Sequence, residues 1–263
     1  MTSAVSTGPS PTPNCSCAGS ASASSCRASP SIPGTRTAPR TSLGCTRRSR
    51  PRFATWSSSA IACCTYLYDL TWRYAQYYEP IVRPIFHDFP DDPHYLDEND
   101  DMLLGRALLV APVVEPGATV RAVYLPSGAR WFDWWTGEAF DGGQTVTRSA
   151  PFDRPPLFAR EGSVVALNTA EQRFAARADR RGFVLFPIVQ GSFEAEIFDD
   201  DGESEAWREG RYRLWRVRAT CTPETIEMAI TATENGLPIE CDVKIVLPVT
   251  ETRRVTVSGG SRR

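Results

Sequence analysis

The sequence predicts a mainly β protein: two consecutive antiparallel β-sandwich domains, preceded by one helix and by a disordered N-terminal segment. Three observations carry this reading. Stretches rich in Val, Ile, Phe, Tyr and Trp recur from about residue 103 to residue 257. Gly and Pro turns separate them at roughly 8–12-residue spacing, the pattern of a sandwich. The first 64 residues are written in a different composition altogether.

Residues 1–64 contain no carboxylate; Asp69 is the first, and all 31 acidic residues lie from there on. Six of the eight cysteines (Cys15, Cys17, Cys26, Cys45, Cys63, Cys64) fall in this stretch among Ser, Ala, Pro, Thr and Arg. So little apolar surface does not offset the entropy of ordering, and the segment reads as disordered. A disulfide framework would require turn-spaced strands around the cysteines. A metal site built from four cysteines requires CxxC pairs, and neither Cys15–Ser16–Cys17 nor Cys63–Cys64 has that spacing. A flexible arm fits the composition. Translation out of frame fits it too, and is the favoured reading. Joining the third base of each codon to the first two of the next lets residues 49–64 encode TPAIRDLVKLRYRLL, a charged amphipathic helix that runs straight into TYLYDLTWRY. Sequencing the DNA near Cys64–Thr65 for a compensating indel checks this.

From Tyr66 onward the composition is that of a folded protein, with Lys244 the only lysine. Residues Tyr66–Glu79 predict a helix, with Leu67, Leu70, Tyr74 and Tyr77 as its core-facing stripe and Pro80 as its stop. Residues 81–101 predict a short apolar strand and then a loop dense in carboxylates. Such a cluster could hold an acid–base pair or calcium, or its aspartates could cap turns. No D-x-D-x-D-G register occurs, and His87 and His94, the only histidines, sit in no HxH or HxxxH pattern. Structural roles are expected for all of them.

Residues 103–114, LLGRALLVAPVV, predict one strand buried on both faces. Strands are expected at RAVYLP, RWFDWW, GGQTVTRSAP and PPLFAREGSVVAL, with a turn at Thr136–Gly137. Trp131, Trp134 and Trp135 could stack on sugar rings, but core filling is the favoured role. A second β block follows over 172–258. In SFEAEIF, Phe193, Ala195 and Ile197 share one face, and Glu194 and Glu196 the other. RYRLWRVR changes phase at Leu214–Trp215, which predicts a bulge. Asp199–Asp200–Asp201–Gly202 predicts a hairpin turn. The near-neutral formal charge of −2 speaks against a nucleic-acid partner. No run of about 18 apolar residues predicts a membrane span. The opening lacks a secretory pattern, so the default location is the cytoplasm.

Several strings together, YLYDL, IVRPIFHDFPDDP, LLGRALLVAPVVEPGA, VYLPSGARWFDWWTGE, GGQTVT, PLFAREGSVVAL and IFDDDGES, resemble the C-terminal part of glycoside hydrolase family 31, the α-glucosidase and α-xylosidase family. The resemblance implies the last helix and end of a truncated (β/α)8 barrel (65–101), a proximal β-sandwich (102–170) and a distal β-sandwich (171–258); the disordered, out-of-frame opening (1–64) and a disordered tail (259–263) complete the layout. It also implies a retaining mechanism in which two carboxyls about 5–5.5 Å apart serve as nucleophile and acid–base. The family carries both on its barrel, which needs about 250 residues. The expectation is therefore a C-terminal fragment of a retaining α-glycosidase, inactive alone, with no catalytic, substrate-binding or metal residue and no cofactor. Carbohydrate would be engaged only through the barrel, and the exposed barrel remnant could drive self-association. The alternative is a non-catalytic module that binds carbohydrate through Trp131–Trp135 or merely supports a barrel.

Overall fold

The computed structural model describes residues 63–96, 100–151, 153–168, 181–234 and 243–262. The expectations of disorder and frame shift for the opening stretch fall almost wholly outside them.

The helix α1 spans Cys64–Tyr77. It stops at Tyr78, which turns left-handed (φ 59°) and closes its N–H on the Tyr74 carbonyl at 2.9 Å, an αL cap. The expected stripe is corrected: only Leu70 of the four is buried, while Leu67, Tyr74 and Tyr77 face outward. The docked face carries Tyr66, Asp69, Leu70 and Trp72. Three of those four bear a polar atom, and a search for apolar periodicity passes over them.

Fifteen strands follow among the described residues. The first eight are β1 (Val82–Pro84), β2 (Met102–Leu104), β3 (Leu108–Val110), β4 (Val120–Leu125), β5 (Arg130–Asp133), β6 (Ala139–Asp141), β7 (Gln144–Ser149) and β8 (Leu157–Arg160). Then come β9 (Ser163–Asn168), β10 (Arg181–Phe186), β11 (Gly191–Asp199), β12 (Arg213–Cys221), β13 (Thr225–Glu234), β14 (Val243–Val246) and β15 (Arg254–Arg262). They form a β4–β7 ribbon and three sheets, ordered β1-β2-β3-β8-β5-β6, β14-β10-β9 and β11-β12-β13-β15.

These four units stack as layers with three cores between them. Leu109, Trp131 and Phe158 of the six-stranded sheet meet Val123, Leu125 and Val146 of the ribbon. The neighbouring residues Leu108, Phe132 and Ala159 point the other way, onto Val165, Val184 and Phe186 of the three-stranded sheet. Val164, Ala166, Phe183 and Leu185 on that sheet's far side pack against Trp215, Val217, Ala219, Ile226 and Met228. Alternation along a strand thus sends successive apolar residues into different cores. It explains why β3, β8, β9 and β10 read as continuous hydrophobic runs. Sheet β14-β10-β9 takes strands from both sides of residue 170.

Several local expectations change. The run 103–114 is a hairpin, β2 with β3, folded at Gly105 with φ +60°; a left-handed corner there needs glycine. No bulge interrupts β12, whose register with β11 and β13 is continuous. Its inward series runs Arg213, Trp215, Val217, Ala219. The apparent phase change arises because buried Arg213, its guanidinium 5.0 Å from the Trp215 ring, takes an inward place expected of an apolar residue. Pairing is not wholly antiparallel: β14 runs parallel to β10, and β15 to β13. Each is reached by crossing between sheets, so it arrives at the end a hairpin would not use. Pairing of β15 with β13 also continues through residues 259–262, where a disordered tail is expected. The SFEAEIF alternation is as expected, with Ile197 in the core and Glu194 and Glu196 bonded to Arg218 and Arg216 on the outer face.

Candidate functional site

Three places offer chemistry by residue type: the acidic loop 88–101, the aspartates 199–201, and the tryptophans 131–135. In the loop, Asp92 is buried. It accepts the Ser127 N–H (2.9 Å), the Ser127 hydroxyl (3.0 Å), the Tyr124 hydroxyl (3.2 Å) and the His94 N–H (3.1 Å). Burial alone pushes its carboxyl up, but these donors outweigh burial and hold it below the usual carboxylate range. The His94 ring stacks on Tyr124 with centroids 3.8 Å apart. Asp88 lies 2.7 Å from His87 Nδ1 and accepts from Arg83 at 3.1 Å. Burial raises its carboxyl, and these two neighbours more than reverse that. Asp101 pairs with Arg121 at 2.6 Å, while Asp91 faces solvent. Each inward-turned carboxylate fastens the loop to β1 or β4. The motif Pro90–Asp91–Asp92–Pro93 was the available signal: prolines on both sides hold the loop rigid enough to aim one aspartate inward.

The run at 199–201 is likewise occupied. Asp199 takes two bonds from Arg181 (3.1 and 2.6 Å) and one from the Trp215 indole (3.2 Å). Asp200 caps the Gly202 N–H at 2.7 Å, and Asp201 caps the Glu203 and Ser204 amides, as Asx turns do. The predicted tight hairpin is corrected, because residues 200–212 connect β11 to β12 and include a 3-10 turn at Ala206–Glu209. The self-capping aspartates form only its first corner. No local pattern signals the Arg181–Asp199–Trp215 cluster, whose members lie on three different strands.

Trp131 is fully buried, and its indole donates to the Pro126 carbonyl at 3.1 Å. Trp134 packs in the neighbouring core against Phe186, with centroids 5.8 Å apart. Trp135 is half-buried, its indole bonded to the Pro155 carbonyl at 2.8 Å. The first two rings therefore serve different layers and make no shared platform. Among the described residues, no group of three or more His, Cys, Asp or Glu side chains is gathered as a metal cage. No helix among them is long and apolar enough to cross a membrane.

Residues 78–165 match the glycosyl hydrolase family 31 C-terminal domain. The chain is similar to alpha-glucosidase 2 of Bacillus thermoamyloliquefaciens, 28% identical over 184 residues, covering 70% of this chain and 23% of that protein. An alpha-xylosidase of Saccharolobus solfataricus is 34% identical over 154 residues, covering 57% of this chain and 20% of that one. Among solved structures, a family 31 dextranase of Flavobacterium johnsoniae superposes with a TM-score of 0.62 at 26% identity, over 68% of this chain and 22% of its own. The family 31 alpha-xylosidase of Xanthomonas citri gives a TM-score of 0.58 at 26% identity, over 81% and 21%. The chain thus spans about a fifth to a quarter of the length of these relatives. Through residues 78–165, which match the family's C-terminal domain, the chain belongs to glycoside hydrolase family 31.

Proposed function

We propose that this chain is the supporting β-sandwich region of a retaining α-glycosidase that acts on α-linked glucosides or xylosides, and that alone it hydrolyses neither. One observation carries the second half of this reading. Among the described residues of the acidic loop, the most deeply buried carboxylate, Asp92, has its oxygens engaged by four donors from β4, its following turn and His94. A retaining pair needs one carboxylate free to attack and another free to exchange a proton. Asp88 and Asp101 are also held by arginines. The substrate class is inferred from the relatives, an α-glucosidase and an α-xylosidase.

The same reading gives a use to the outward side of α1. Tyr74, Tyr77 and Tyr78, with Val82 and Phe86, leave a partly aromatic surface in solvent. The family's barrel is its natural cover, and an uncovered chain should self-associate; a strictly monomeric species in light scattering would count against this. Assay of the purified chain with aryl α-glucosides and α-xylosides tests the main proposal, with no turnover expected. Turnover that disappears in Asp92→Asn or Asp91→Asn would falsify it.

A further inference from the structure

Among the described residues, strand β11 is one edge of the four-stranded sheet, so alternate backbone groups along it have no strand there to pair with. Two of them are satisfied by side chains of α1. Asp69 accepts the Phe198 N–H at 2.8 Å, and Arg73 donates to the Glu196 carbonyl. The two side chains also bond each other at 3.0 Å. Beside them Trp72 lies flat on the Phe198 ring, with centroids 4.7 Å apart and planes 8° apart. Tyr212 closes against both rings. The Tyr68 hydroxyl donates to Asp200 at 2.8 Å. The helix grips the six-stranded sheet as well: Tyr66 donates to the Leu104 carbonyl at 2.8 Å, and Leu70 lies against Gly105.

We propose that α1 is a strut locking the distal sandwich to the proximal one, and that the Phe198–Asp200 corner is its socket. An edge strand exposes donors and acceptors that must be covered or solvated. Here a helix far away in sequence covers them with one acidic and one basic side chain four residues apart, which share a helix face. The acidic run thereby acquires a purpose that needs no ion: Asp200 receives the helix and Asp199 anchors the socket from behind through Arg181. Undocking α1 would leave the Phe198 amide unpaired at a dehydrated edge, so the helix and the end of β11 should open together. This inference does not depend on whether the chain serves a barrel.

Hydrogen exchange of the full chain, read by mass spectrometry, tests it. In the unmodified chain, amides of residues 68–77 should exchange as slowly as those of β11. Asp69→Ala should accelerate exchange of both α1 and the Phe198 region about tenfold or more, the loss expected for a buried charge-assisted bond, while β12 and β13 stay protected. Tyr74→Ala, on the outward face, should leave both unchanged. Coil-like exchange of α1 in the unmodified chain overturns the proposal, as does unaltered α1 protection in Asp69→Ala. If Asp69→Ala does not fold, Tyr68→Phe decides in its place, with a several-fold acceleration confined to α1 and the socket expected, and no acceleration overturning the idea.

Discussion

Replacing Gly105 by alanine probes how closely α1 is fitted to the β2–β3 corner, and its cost can be built up from the geometry. At φ +60° a side chain is disfavoured by about 1–2 kcal/mol. Alanine's narrower unfolded ensemble returns about 0.4–1 kcal/mol of that. The new methyl would stand 2.6 Å from Leu70 Cδ2 and closer still to the Tyr66 hydroxyl. Both must move, at about 1–3 kcal/mol for overpacking. Displacing the hydroxyl also sacrifices its bond to the Leu104 carbonyl, worth about 1 kcal/mol. The total is about 4 kcal/mol, read as a lower urea midpoint at unchanged slope. Because Tyr66→Phe forfeits the same bond, the double variant should lose about 1 kcal/mol less than the sum of the singles. A loss under about 1 kcal/mol, or strict additivity with Tyr66→Phe, would refute this account of the contact.

Other consequences are equally open to measurement. Asp92 has a folded-state carboxyl held below its ordinary range, so its contribution is present at neutral pH and is lost as acidification protonates it. Asp92→Asn should therefore be less stable at neutral pH and show a flatter fall in urea midpoint than the unmodified chain between about pH 5 and pH 3. Asp199→Ala removes two charge-assisted bonds from the buried Arg181 guanidinium and should cost about 3–5 kcal/mol, while the combined Arg181→Met and Asp199→Leu change should recover most of it. Gly142→Ala would place a methyl 2.6 Å from the Ala129 carbonyl oxygen and closer to that of Pro126. Backbone atoms yield little, so a loss above about 2 kcal/mol is expected in thermal or urea melts. The chain should pass unretained through an amylose column; retention lost on Trp134→Ala and Trp135→Ala would restore the binding-module reading.

Strand composition and turn residues made the β-rich layers legible, and seven short strings made the family legible. What escaped were features whose causes lie across the chain. The expected helix stripe fails because α1 docks through Tyr66, Asp69 and Trp72, whose partners lie far along the chain, Phe198 being 129 residues from Asp69. The expected bulge in β12 is absent because Arg213 is buried, which local hydrophobicity does not foresee. The run at 103–114 reads like one strand because both arms of the β2–β3 hairpin are apolar, and only Gly105 betrays the corner. For the acidic loop a structural role was the expectation, yet nothing local revealed that Ser127 and Tyr124 would claim Asp92. Absence of metal-type spacing was readable; the actual donors were not.

Strands β9 and β10 supply side chains to two cores at once, Val165, Val184 and Phe186 to one and Val164, Phe183 and Leu185 to the other. A chimera joined at residue 170 would consequently bring together half-walls from different parents, with mismatched volumes on both faces of a single sheet. The tolerant seam lies earlier, at the Glu161–Gly162 turn before Ser163, so a transplanted distal half should carry β9 with it.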